Sequence, residues 1–227
     1  MMTDTGPWIE DWLSAPRFAV CLADADGDRA LALALARYDW NARAGAAFLH
    51  DIGHLEVALR NAYDRALRSR DRPGDPHWVY APRRHFPERI RGGQDASWWP
   101  LNEIKVAIGK ARAASGSDAE HPAPGKVIAE LNFGFWTSLT TGVHDQPIWR
   151  PRLHRAFPRG TRRHNVHAQI DRLRRLRNRA AHNESLLDVP LRARHDDLLA
   201  VARLLSTPLH DHIADRSPVS AVLTDRP

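Results

Sequence analysis

A permanently charged guanidinium and a titratable imidazole, Arg177 and His182, lie close together in the stretch Leu173-Arg174-Arg175-Leu176-Arg177-Asn178-Arg179-Ala180-Ala181-His182-Asn183-Glu184. The stretch reads as helix. At about 100° per residue, Asn178 and His182 fall roughly 40° apart on one face, whereas Arg177 lies about 140° from His182. Such residues suit phosphodiester chemistry: an imidazole titrates near pH 6.5 and moves protons, and a guanidinium grips phosphate bidentately. Val166, Ile170, Leu173, Leu176, Ala180 and Ala181 form an apolar stripe, and Arg177 sits inside it. A charge there has two readings. Either it snorkels from the stripe edge or pairs with Glu184, or it is held in place for chemistry.

The elements that must position this motif are helical, with no alternating strand pattern. Short helices are expected over Pro7–Leu13 and Arg17–Leu22. After Asp26-Gly27-Asp28 an Ala/Leu-rich helix runs to about Arg43, and a long helix follows from Gly45 to Ser69. On that long helix Phe48, Ile52, Leu55, Leu59, Ala62 and Ala66 make the apolar face, with Glu56 and Arg60 paired at i,i+4 on its border and Asn61 beside them. Residues 70–99, rich in Pro, Gly, Arg and Trp, read as an irregular excursion anchored by Trp78, Trp98 and Trp99. Further helices are expected at 101–114, 125–140, 147–157, 161–183 and 190–205, with a turn-rich loop over 115–125 and a fraying tail after Ser206. Three parts follow: an N-terminal helical extension (1–44) on the core, a helical domain (45–205) and a C-terminal tail (206–227).

Composition narrows the class. The chain has 227 residues, 43% of them hydrophobic, which suits a globular fold rather than a disordered one. No run of eighteen apolar residues occurs and the first residues lack the pattern of a secretory signal, so no membrane partner and a cytoplasmic location are expected. Cys21 is the sole cysteine, which excludes an internal disulfide and argues against a Cys-based zinc site. The net charge of +6 is nearly all arginine. Between Arg150 and Arg179 eleven arginines, Arg163, Arg174, Arg175 and Arg179 among them, are offset along the sequence by Asp171 alone, a pattern that suits a polyanion. His50 and His54, His164 and His167, and His210-Asp211-His212 lack a convincing third ligand, so neither metal nor cofactor is expected. Walker, GxGxxG, GxSxG and HExxH motifs are absent. Phe133-Gly134-Phe135-Trp136 reads as core ahead of an RNA-stacking platform.

The string Arg177-Asn178-x-x-Ala181-His182-x-Glu184 resembles the R-x4-6-H signature of the HEPN superfamily and, in its flanks, the Abi-like (abortive infection) branch. Phe133-Gly134-Phe135-Trp136 followed by Ile148-Trp149, Leu153 and Phe157-Pro158, and upstream Tyr38, Trp40-Asn41 and Glu56-Val57-Ala58-Leu59-Arg60-Asn61, match in family order over about residues 35–187. Asn183 stands where many members carry a second histidine. The resemblance implies an all-α, HEPN-like four-helix up-down bundle with N- and C-terminal helical additions, its core drawn from 45–69, 101–114, 125–140 and 161–183. It also implies a metal-independent endoribonuclease acting as a toxin or phage-defence effector. In that scheme Arg177, His182 and Asn178 are catalytic, and Glu56, Arg60, Asn61 and Glu184 are a supporting polar network. Arg163, Arg174, Arg175 and Arg179 bind RNA. One motif helix supplies one Arg and one His, so a homodimer with a composite cleft is implied, with an antitoxin or a phage-derived trigger as further partners. The rival readings are a non-catalytic RNA-binding or partner-sensing module, and a scaffold whose basic face merely follows Arg-rich codon usage.

Overall fold

A computed structural model describes residues 7–23, 29–88, 90, 91, 94, 95, 97–115 and 121–227. The Asp26-Gly27-Asp28 turn and residues 116–120 of the expected loop lie outside the described residues. The protein is all-α. Ten α-helices are described: α1 (Pro7–Leu13), α2 (Ala15–Leu22), α3 (Ala30–Arg68), α4 (Trp98–Ser115), α5 (Pro124–Glu130), α6 (Phe133–Ser138), α7 (Arg163–Ala181), α8 (Leu191–Leu205), α9 (Thr207–Arg216) and α10 (Val219–Thr224). Among the described residues, extended pairing is confined to β1 (Ile90–Arg91) and β2 (Gln94–Asp95), antiparallel with Ile90 opposite Asp95.

The long helix is longer than its sequence suggests. The two helices expected on either side of residue 44 are one, because no proline interrupts Ala30–Arg68 and Gly45 is tolerated within it. At 1.5 Å per residue α3 spans roughly 58 Å. Its buried face runs through Trp40, Ala44, Phe48, Ile52, Leu55, Leu59, Tyr63 and Leu67. Near the end of α7 the contact is made by small residues, and a Cβ added at Gly45 would lie 3.6 Å from the Ala180 Cβ. The first turns of α3 carry a separate apolar cluster of Ile9, Leu13, Phe18, Cys21 and Ala34, which seats α1 and α2.

Other boundaries move for local reasons. The helix expected over 125–140 is split at Asn132, whose Oδ1 accepts the Phe135 N–H at 2.9 Å and caps α6. The helix expected over 147–157 is a π turn (Asp145–Trp149) followed by a 3-10 turn (Leu153–Ala156). Pro147 and Pro151 remove amide donors there, so no regular ladder runs through it. The tail does not fray. Ser206 accepts from Leu209 N and Pro208 sits in the first turn, so α9 starts cleanly. Ile213 and Val219 are buried, and Trp40 Nε1 donates to Val222 O at 2.9 Å, which ties α10 to α3.

Packing differs from the expected core in one respect. Segment 190–205, outside the four core candidates, packs as α8 on both α3 and α7, while α4 lies chiefly against α5. Arg172 clamps α7 to α8 through Asp197, with Nε to Oδ2 at 2.8 Å. The excursion at 70–99 is anchored by Trp78, fully buried, which donates to Asp64 at 2.7 Å and stacks on Phe135. Trp99 leans on Phe135, but Trp98 is 64% exposed and anchors nothing. Phe133, Phe135 and Trp136 are buried, so that cluster is core and no stacking platform.

Candidate active site

The motif occupies the last turns of α7, which end in a reversal built around Asn183. Its φ of 50° is left-handed, a region Asn tolerates better than most residues. The Asn183 N–H donates to Ala180 O at 3.1 Å and the Glu184 N–H to Arg179 O at 2.9 Å, the paired bonds of a Schellman cap. His182 is therefore the last helical-side residue. Its N–H still bonds Asn178 O at 3.1 Å, and its side chain is exposed, as is that of Asn178 one turn before. Asn183 is thus a residue that the turn itself favours.

Beyond the cap, Asn41 of α3 fixes the chain. Its Nδ2 donates to Glu184 O at 3.2 Å and its Oδ1 accepts from Leu186 N at 2.6 Å, with the residue only 8% exposed. Trp40-Asn41 is visible in the sequence, but its task of holding the motif's end is not, because it depends on partners 143 and 145 residues away.

Arg177 is half-buried on the flank of α7 that faces α3. There Glu56 feels the charges of both Arg177 and Arg60. Burial pushes the Glu56 carboxyl above its ordinary value, and the two guanidiniums pull it only part of the way back. Glu56, Arg60 and Arg177 thus form one electrostatic group. Asn61 is exposed and lines, with Arg60, Asp64 and His77, a cavity of about 850 Å³ that runs toward Pro124 and Gly125. Glu184 does not belong with Arg177. The reversal at Asn183 carries its exposed side chain to Arg179, 3.9 Å from Nε.

The structure thus places Arg177 and Arg60 within electrostatic reach of Glu56, and leaves Asn178 and His182 exposed. Of the four cavities described, none is lined by Arg177, Asn178 or His182. Within one copy of the chain the motif is displayed rather than enclosed.

The neighbouring arginines are less free than the sequence count suggests. Arg174 and Arg175 share Asp171; burial pushes that carboxyl up, but their hydrogen bonds and charge outweigh it and hold it below the usual range. Arg179 pairs with Asp188 at 2.7 Å. Arg163 reaches Asp145 at 3.2 Å and Thr140 O at 2.6 Å, which pins the start of α7 rather than presenting a cation. Asp145, Asp188 and Asp197 come from other elements, so counting along the sequence misses them.

One further polar cluster has the residue types of a nucleophilic triad and not its geometry. Ser217 Oγ donates to the fully buried Asp51 Oδ2 at 2.5 Å and meets His195 Nε2 at 3.1 Å. The carboxylate contacts the hydroxyl and lies 3.9 Å from the same His195 Nε2 that meets it, rather than backing the ring's other nitrogen, and Oγ also accepts the Val219 N–H. It is a joint between α3, α8 and α10. Among the described residues no three His, Cys, Asp or Glu side chains are grouped to hold a metal ion, and no helix is long and apolar enough to cross a membrane. Comparison with protein-family models, curated proteins and solved structures yields no match.

Proposed function

We propose that the protein is a metal-independent endoribonuclease of the Abi-like HEPN kind, acting in the cytoplasm as a toxin or abortive-infection effector. The observation that carries this reading is the arrangement at the end of α7. An exposed His182 has Asn178 one turn before it, and Arg177 lies half-buried on the adjoining flank, within electrostatic reach of Glu56. In the reaction the substrate's own 2′-OH attacks the adjacent phosphorus. His182 takes the proton from that hydroxyl, or returns one to the leaving 5′ oxygen, while Arg177 offsets the charge that builds on the phosphoryl oxygens. Asn178 positions the phosphate. The products are a 2′,3′-cyclic phosphate and a 5′-OH, and DNA, which lacks the nucleophile, is inert.

The outward display of the motif supports a site completed by a second copy. Two α7 ends facing each other across a two-fold axis would double the Arg/His complement and form the walls that one copy lacks. An antitoxin or a phage-derived trigger would then act on that same face. A second reading, a non-catalytic RNA-binding or partner-sensing module, draws support from the Glu56–Arg60–Arg177 group, which is also what a structural polar network looks like. Incubating purified protein with total RNA in EDTA, beside a His182→Ala control, separates the two: cleavage by the wild type alone supports the nuclease, and RNA binding without cleavage supports the module.

A further inference from the structure

The N-terminal helices carry a feature that packing does not use. Trp8 and Trp12, one turn apart on α1, are 57% and 53% exposed, and their rings stack on each other at 5.9 Å. Trp12 meets Tyr38 of α3 edge-on at 5.1 Å. Arg37, next to Tyr38 in sequence, lines a cavity of about 550 Å³ together with Val20 of α2, Arg179 and Ser185 from the end of α7, Asp188, and Arg226. Its wall therefore carries three arginines against the Asp188 carboxylate. Arg37 Nη1 donates to Cys21 O at 3.1 Å, Arg226 Nη2 donates to Leu187 O at 2.7 Å with its guanidinium over the Trp40 ring, and Arg179 is already paired with Asp188 at 2.7 Å. A guanidinium has five N–H donors, so Arg37 and Arg226 keep donors for a ligand while their positions are fixed.

We propose that this cavity and the exposed tryptophan pair form a subsite for single-stranded RNA on the flank of the scissile position, a proposal that rests on the nuclease reading. His182, which caps α7, follows Arg179 by three residues, a rise of about 4.5 Å, which is short enough for adjacent nucleotides to reach both. A strand crossing His182 would place its next phosphates on Arg226 and Arg37, beside the Arg179–Asp188 pair, and its bases on the indoles. Cationic lining next to exposed aromatic faces matches the two parts of a single strand, backbone charge and base π-surface. An apolar protein partner would match the indoles and leave Arg37 and Arg226 without an anion.

The test is fluorescence anisotropy of a labelled 2′-O-methyl single strand of about twelve nucleotides, a length within the usual single-strand site range, titrated with the full-length protein over a range of salt. Trp8→Leu/Trp12→Leu keeps apolar bulk but removes the stacking faces. We expect it to weaken binding at least tenfold at every salt concentration with the salt slope unchanged. Arg226→Ala should weaken binding and flatten the log–log salt slope by about 1. Trp98→Ala, on α4, should bind as wild type does. Trp8→Leu alone gives the same reading if the double variant fails to fold. RNA binding by the wild type that the tryptophan substitutions leave within about twofold overturns this subsite and spares the nuclease reading. So does loss of self-association with RNA affinity intact, which would assign the indoles to a protein contact. Absence of any salt-sensitive RNA binding by the wild type overturns both.

Discussion

At the scale of single residues, His182 and Arg177 make opposite structural demands. His182 is exposed and donates nothing but its backbone to the fold, so His182→Ala should change stability by less than about 0.5 kcal/mol while lowering RNA cleavage about 10²- to 10⁴-fold. Arg177→Ala should abolish cleavage as well. It should also raise the Glu56 carboxyl further, because the Arg177 charge that opposes its burial is gone. Denaturation curves measured beside cleavage rates check both; a His182→Ala protein that cleaves as well as wild type removes His182 from the chemistry. His85 gives a pH signature distant from the motif. Burial lowers its imidazole from 6.5 to about 4, helped by the Arg152 charge, with the ring 1% exposed. The folded state therefore prefers neutral His85. Between those values the unfolded chain binds the proton that the folded chain refuses, so stability is full above about pH 6.5 and falls as pH drops toward 4. The loss is on the order of 3 kcal/mol. His85→Leu should flatten that acid limb in urea unfolding at pH 7 and pH 4.5; an unchanged limb would contradict the assignment.

At the scale of elements, the motif is only as well placed as the reversal after α7. Asn41 holds that reversal by two hydrogen bonds, and its removal leaves Leu186 N without its acceptor and Glu184 O without its donor. Asn41→Ala should therefore cost about 2 kcal/mol in urea unfolding and lower cleavage without touching Arg177 or His182. A cost below about 0.5 kcal/mol would show that the reversal holds itself. The apolar stripe of α7 is legible in the sequence because it is a local periodicity: Val166, Ile170, Leu173, Leu176 and Ala180 are the buried residues. Where the sequence misleads, the deciding partner is distant or the signal is a single cap. Asn132 splits a helix that periodicity alone continues, and α9 and α10 are stabilised by Trp40 and Asp51, far upstream. In the site, Glu56 beside Arg177 follows from the helical register of α3, whereas Glu184 moves to Arg179 because a left-handed Asn183 turns the chain.

At the scale of the whole molecule, much of the basic run around α7 is neutralised by aspartates, Asp171 on α7 itself and Asp145, Asp188 and Asp197 outside it. The composite-site reading expects a dimer by light scattering at micromolar concentration, stable enough to survive moderate salt because exposed apolar side chains, and not charges, must hold it. A strictly monomeric protein that still cleaves RNA would contradict the composite site and leave His182 in place. The most direct measurement is the cleavage of total RNA by purified protein in EDTA, with fragment ends analysed beside a His182→Ala control. The nuclease reading requires fragments ending in 2′,3′-cyclic phosphate from the wild type and none from the variant; intact RNA with the wild type, or equal cleavage by both, would contradict it.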